Sequence, residues 1–295
     1  MKPTKIAALV MAGMALAGMT YAAAGQRAFA HSFTEDESAS FLVNVMAAKV
    51  HLMLVGKNLD NPEAALAHID HVHMIIDDEM LNEIAEQNER ISADIPAALD
   101  DLAAMVESGE ERSVIIGQFR EISSLLAEAV SVRIDSEHVS DPHVQALIVA
   151  GLADNALASY EQAHGLGEHM MDDGQVMEED HAMEGDHVAG GDIVDHDAYV
   201  AAKAFATLAK NTFYREHLVD EGTEVAHDVQ SGLVELREAM YAGHSVEDVT
   251  VAVHIGVHEK LREAYGLEIE GHATSEEESG DHMDEGAMDD HMEGQ

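Results

Sequence analysis

Residues 94–109, DIPAALDDLAAMVESG, and residues 228–243, DVQSGLVELREAMYAG, carry one pattern twice. In the first copy Ile95, Leu99 and Leu102 precede Gly109. In the second, Val229, Leu233 and Leu236 precede Gly243 at the same offset. Steps of four and three place those side chains on one face of an α-helix, and a glycine just past the last periodic residue is a helix stop. One residue later in register, Leu126-Ala127-Glu128-Ala129 matches Leu261-Arg262-Glu263-Ala264. Duplication of a helical unit accounts for these matches; the competing explanation is chance similarity between Ala/Leu/Glu-rich helices. The front halves of the two units align less closely.

Working outward, the periodicity predicts a first helix over about Glu37 to Leu59 and a second from Pro62 to about Glu89. A third covers about Ser92 to Glu107, with Pro96 in its first turns, and a fourth about Glu111 to Ile134. Pro62 suits a first turn, where its missing N–H costs no hydrogen bond. The second half repeats the scheme. Asp141-Pro142 opens a helix to about His164, and others follow over about Asp197 to His217, Glu221 to Tyr241 and Val246 to Tyr265. The expected fold class is all-α: two related up-down four-helix bundle units, residues 31–140 and 141–267.

The chain has 15 basic and 58 acidic residues and a formal net charge of −43. That field repels nucleic acid and anionic membranes and favours cations or a basic protein as partners. Acidity for solubility in a salty medium is the plainer explanation of the charge. Residues 1–30 read as a signal peptide: Lys2 and Lys5, an apolar run from Ile6 to Met19, and Ala28-Phe29-Ala30 as a cleavage site before His31. Cleavage after Tyr21-Ala22-Ala23-Ala24 and an uncleaved anchor are the alternatives. The expected location is exported (periplasm, extracellular space or cell surface), with no membrane span after cleavage. Cysteine is absent, so no disulfide forms and any metal site must use His, Met or carboxylate.

Two segments, 167–196 and 268–295, are built almost wholly of Asp, Glu, His, Met and Gly, with no apolar stripe to bury, and are expected to be disordered. The first holds His169, Met170, Met171, Met177, His181, Met183 and His187. The second holds His282, Met283, Met288, His291 and Met292. Thioether selects soft Cu(I), and imidazole suits Cu, Zn and Ni. These motifs resemble the Met/His-rich segments of exported bacterial copper-resistance and copper-handling proteins. The resemblance implies copper buffering or delivery, with zinc or nickel as alternative metals. The heavy Asp/Glu load departs from that pattern and also welcomes Zn(II), Ni(II), Cu(II) or Ca(II). The alternative is a solvated acidic linker with incidental His and Met.

Histidines also cluster in the helices. In Ala67-His68-Ile69-Asp70-His71-Val72-His73, His68 and His71 lie together at i, i+3, where they can share a surface metal, while His73 falls on the apolar face of Leu66, Ile69, Ile76 and Met80. On the first helix Glu37, Asn44, His51 and Asn58 recur every seven residues. That stripe reads as a solvent face; turned inward, it would let His51 meet His73 in the core. On the last helix His254 and His258 stand one turn apart, flanking the apolar stripe Val246, Val249, Val253, Val257 and Leu261. The repeat register matches them to Phe119 and Ser123, so the scaffold does not require histidine there.

A catalytic assignment finds little. Glu161-Gln-Ala-His164 and Glu224-Val-Ala-His227 resemble the Glu-x-x-His motifs of di-iron carboxylate bundles, but an up-down bundle places them at opposite ends. No Ser-His-acid set or phosphate-cradling glycine loop is evident. The sequence thus predicts a non-enzymatic, exported metal-binding protein. Its expected partners are metal ions and a basic or metal-handling exported protein. The alternatives are an acidic interaction protein and a di-iron bundle. Metal should leave as pH falls through about 6.5, because protonated imidazole cannot ligate.

Overall fold

The computed structural model describes residues 36–166, 192–215, 218 and 224–267. Among the described residues the chain is all-α, with no strand. The helices are α1 (Glu37–Lys57), α2 (Pro62–Ile75), α3 (Asp78–Gln87), α4 (Glu89–Ser108), α5 (Arg112–Arg133), the short α6 (Ser136–Val139) and α7 (Pro142–Ala163). Then come α8 (His196–Arg215), α9 (Glu224–Ala242) and a last helix in three parts: α10 (Val246–Val251), a π-helical stretch Ala252–His258, and α11 (Glu259–Tyr265).

These helices close two rings. In the first, α1 packs on α2, α2 on α4, α4 on α5 and α5 back on α1, with α3 against α4 and α5. In the second, α7 packs on α8, α8 on α9, α9 on the last helix and that helix back on α7. α1 also packs against α7 and α8, so one hydrophobic cluster runs through both rings. α1 and α7 are apolar on most faces for that reason, as helices enclosed by others must be. Residues Val144 to Ala150 of α7 are all buried. α1 is long and apolar enough by composition to cross a membrane, but most of it is buried inside the fold.

The repeat is visible in the packing. Ile95, Leu99 and Leu102 on α4 and Val229, Leu233 and Leu236 on α9 are all buried. Gly109 and Gly243 both follow their helices with positive φ, 68° and 70°. Only glycine adopts that left-handed turn without strain. In the paired helices α5 and the last helix, Val249 stands where Ile115 does at the repeat offset, whereas Val257 and Leu261 match Ile122 and Leu126 one residue later; all six are buried. Between the two registers lies the π-helical stretch Ala252–His258. A π-turn accommodates one more residue than an α-turn, so it absorbs the extra residue and returns the apolar stripe to the core.

Two helix boundaries differ from expectation. The predicted second helix is broken at Ile76, whose φ and ψ of −95° and 71° leave the helical region, and Asp77 caps a new helix by accepting from the Met80 N–H at 2.9 Å. The predicted third helix begins earlier, because the Asn88 side chain accepts from the backbone N–H of Arg90 and of Ile91. Pro96 therefore sits inside α4 instead of in its opening turns.

Candidate metal centre

Among the described residues, one group of three or more His, Asp or Glu brings its ligand atoms within 4.8 Å of one another: His51, His68 and His71. The polar stripe of α1 turns out to face inward at this point. His51 leaves the middle of α1 and meets two residues of α2, which lies antiparallel after the short Asn58–Asn61 turn. Pro62 starts α2, and the i, i+3 spacing of His68 and His71 then places both rings against His51.

The His51 and His68 Nδ1 atoms are 3.3 Å apart. The His51 and His71 rings stack in parallel, with centroids 5.0 Å apart and 4° between planes. Phe205 of α8 covers His51 edge-on at 6.0 Å. His71 Nδ1 donates to the Ala67 carbonyl at 2.8 Å, which fixes its tautomer and leaves the Nε2 lone pair free to ligate. His68 is 5% exposed, and its Nε2 is buried without a hydrogen-bond partner.

Burial drives the electrostatics. It pushes the His51 pKa down to about 3, with nearby His71 and His68 adding to the effect. Burial lowers His68 too; Asp197 opposes this, His71 reinforces it and Asp195 opposes it. Both acids stand at the start of α8, where Asp195 accepts from the Ala198 N–H and Asp197 accepts from the Asn58 amide. Neutral imidazoles are the form that binds metal. Two nitrogens at 2.0–2.1 Å from one tetrahedral ion lie about 3.3 Å apart, so the His51–His68 spacing suits a shared ion.

The other helical candidates are dispersed. His73 does not meet His51; it lies half-buried, 3.7 Å from exposed Asp100 on α4. His258 is 6% exposed, with Nε2 3.2 Å from Asp154 of α7. His254, one turn earlier, is exposed; its ring meets the His258 ring edge-on at 5.4 Å. Burial lowers the His254 pKa, His258 adds to this and Asp154 opposes it. Asp154 was missed from sequence, although a lone acid in the apolar run of α7 was a usable signal. Of the di-iron motifs, Glu224 and His227 are exposed, and His227 Nδ1 approaches the Gln230 side chain instead of an acid.

His169, Met170, Met171, Met177, His181, Met183 and His187, and likewise His282, Met283, Met288, His291 and Met292, lie outside the described residues, as does the predicted signal peptide. Compared with known proteins, the chain matches no family model, no curated protein and no solved structure.

Proposed function

We propose that this chain is a non-enzymatic, exported metal-binding protein that buffers or delivers copper, with zinc and nickel as alternatives, and that His51, His68 and His71 form its ordered site. The convergence of three imidazoles from two helices carries the reading. Imidazole is the donor that copper, zinc and nickel share. The buried neutral state of His51 spares the ion competition with protons, and the fixed tautomer of His71 spares it reorganisation. The His/Met segments supply thioether, which the triad lacks, and so favour copper as the cargo. The signal peptide read from residues 1–30 supports export, and the net charge of −43 supports a basic partner that receives or supplies the ion.

Titration of the purified, metal-free mature protein with Cu(I), Cu(II), Zn(II) and Ni(II) tests this reading. His68→Ala should weaken the tightest site by roughly 100-fold or more, beyond the loss typical of an outer-sphere partner. Unchanged affinity and stoichiometry in His68→Ala and His51→Ala would remove the triad from the function.

A further inference from the structure

The geometry points to a second, separate cation site on the π-helical stretch, formed by His254, His258 and Asp154 and suited to a borderline divalent ion such as Zn(II). Three observations converge on it.

The first is the His258–Asp154 pair. Its nitrogen and oxygen are 3.2 Å apart, and the two side chains are only 7% and 15% exposed. Ligand atoms held at about 2.0–2.2 Å by one first-row ion have this separation. Asp154 and Glu161 are the only acids of α7, and Asp154 stands amid Leu152, Ala153, Ala156 and Leu157, all buried.

The second is His254. It is exposed on the solvent side of the same pair, with its ring 5.4 Å from that of His258. Its nitrogens lie outside the tight spacing seen in the triad. Because His254 is exposed, rotation about its side-chain torsions would bring it to the set without displacing a buried side chain. Two imidazoles and one carboxylate leave coordination positions open on the solvent side, the ligand count of exchangeable or reactive divalent sites. This set carries one negative charge. The triad is neutral, so the two sites differ in the ions they prefer.

The third is the backbone. The repeat partner α5 is a regular helix with Phe119 and Ser123 at the matching positions. The inserted residue and both histidines belong to the π-helical stretch. That stretch is pressed onto α9 at its opposite side: a Cβ added to Gly232 would lie 1.8 Å from the Gly256 carbonyl oxygen. Contact this close fixes the backbone that carries His254 and His258, so Asp154 meets a preset framework. π-turns occur disproportionately at functional sites.

The test uses the full chain and Zn(II), held at low free concentration by a competing chelator, with imidazole 15N NMR as the readout. The His254 and His258 resonances, assigned through His254→Ala and His258→Ala, should shift together at substoichiometric occupancy. Asp154→Asn, which keeps the shape and removes the charge, should weaken that response by about 10-fold or more. The same response in His68→Ala protein would show that it is independent of the triad. It would stand even if the triad bound nothing, so the two readings fail separately. Resonances that stay unmoved until Zn(II) exceeds the total histidine, or that shift equally in Asp154→Asn, would reduce His258–Asp154 to an ion pair and overturn the site. His254→Ala removes an exposed side chain, so it keeps the test sound if His258→Ala fails to fold.

Discussion

The two rings use the same fourth helix differently. α5 runs as one regular helix from Arg112 to Arg133, whereas its counterpart from Val246 to Tyr265 passes through a π-helical stretch. Both keep an apolar stripe on the core, and both begin after a ring corner with a left-handed glycine. The stripe tolerates one additional residue because a π-turn rotates the chain back into register. The histidines follow the same division. In the first ring they gather without any acid in the cluster, under Phe205 of the second ring; in the second they stand on the irregular turn beside a partly buried acid. Two rings of similar build thus hold two chemically different constellations, and the difference arises where the backbone or its covering departs from the shared pattern.

Acid should break the first constellation by the largest margin. His51 has a folded pKa depressed from 6.5 to about 3. Below pH 6.5 the unfolded chain binds a proton that the folded chain refuses, so stability is fully present above that pH and is lost as pH falls toward 3. The slope is about 1.4 kcal/mol per pH unit for this one group. Urea denaturation of metal-free protein from pH 7 to pH 4 should show it, and His51→Leu should flatten it. For the same reason proton competition at His51 sets in far below the pH of about 6.5 that ordinary imidazole suggests.

Gly232→Ala should come next. The matching residue on α4 is Ala98, which fits; on α9 the added methyl meets the Gly256 backbone. We expect a loss of about 3 kcal/mol by urea denaturation, against about 1 kcal/mol for Ala98→Gly. Equal costs would mean that the two helix crossings are alike. Smaller still, Gly109→Ala and Gly243→Ala should each cost about 1–2 kcal/mol, because both require the left-handed turn. A marked inequality would argue against a shared corner. Deleting exposed Ile255 should have the least effect on stability, within about 1 kcal/mol, by returning the last helix to α geometry. It should abolish the Zn(II) response of His254 and His258; a retained response would disconnect that site from the π-turn.

Much of the fold was legible because helix periodicity and terminal glycines are local signals. The buried triplets of α4 and α9 and both glycine stops stand where the repeat put them. The break at Ile76 was not legible, since Met80 and Ile84 continue an apolar pattern across it, and the capping role of Asp77 is one acid among many. The one-residue register shift was written in the sequence, but only backbone geometry shows it as a π-turn. The triad was half legible. His68 and His71 were paired by spacing, while His51 lay on a stripe that reads equally well as a solvent face. Which way that stripe turned depended on α8, whose Phe205 is distant in the chain.

The Gly232–Gly256 contact also limits how descendants of this chain can drift. Most buried positions here can exchange one aliphatic side chain for another, since a neighbour's methyl can yield. At Gly232 the neighbour is the main chain of Gly256, which no substitution elsewhere removes. Lineages that keep the π-turn should therefore retain a residue without a side chain at 232, and those that lose the turn should be the ones in which larger residues appear there.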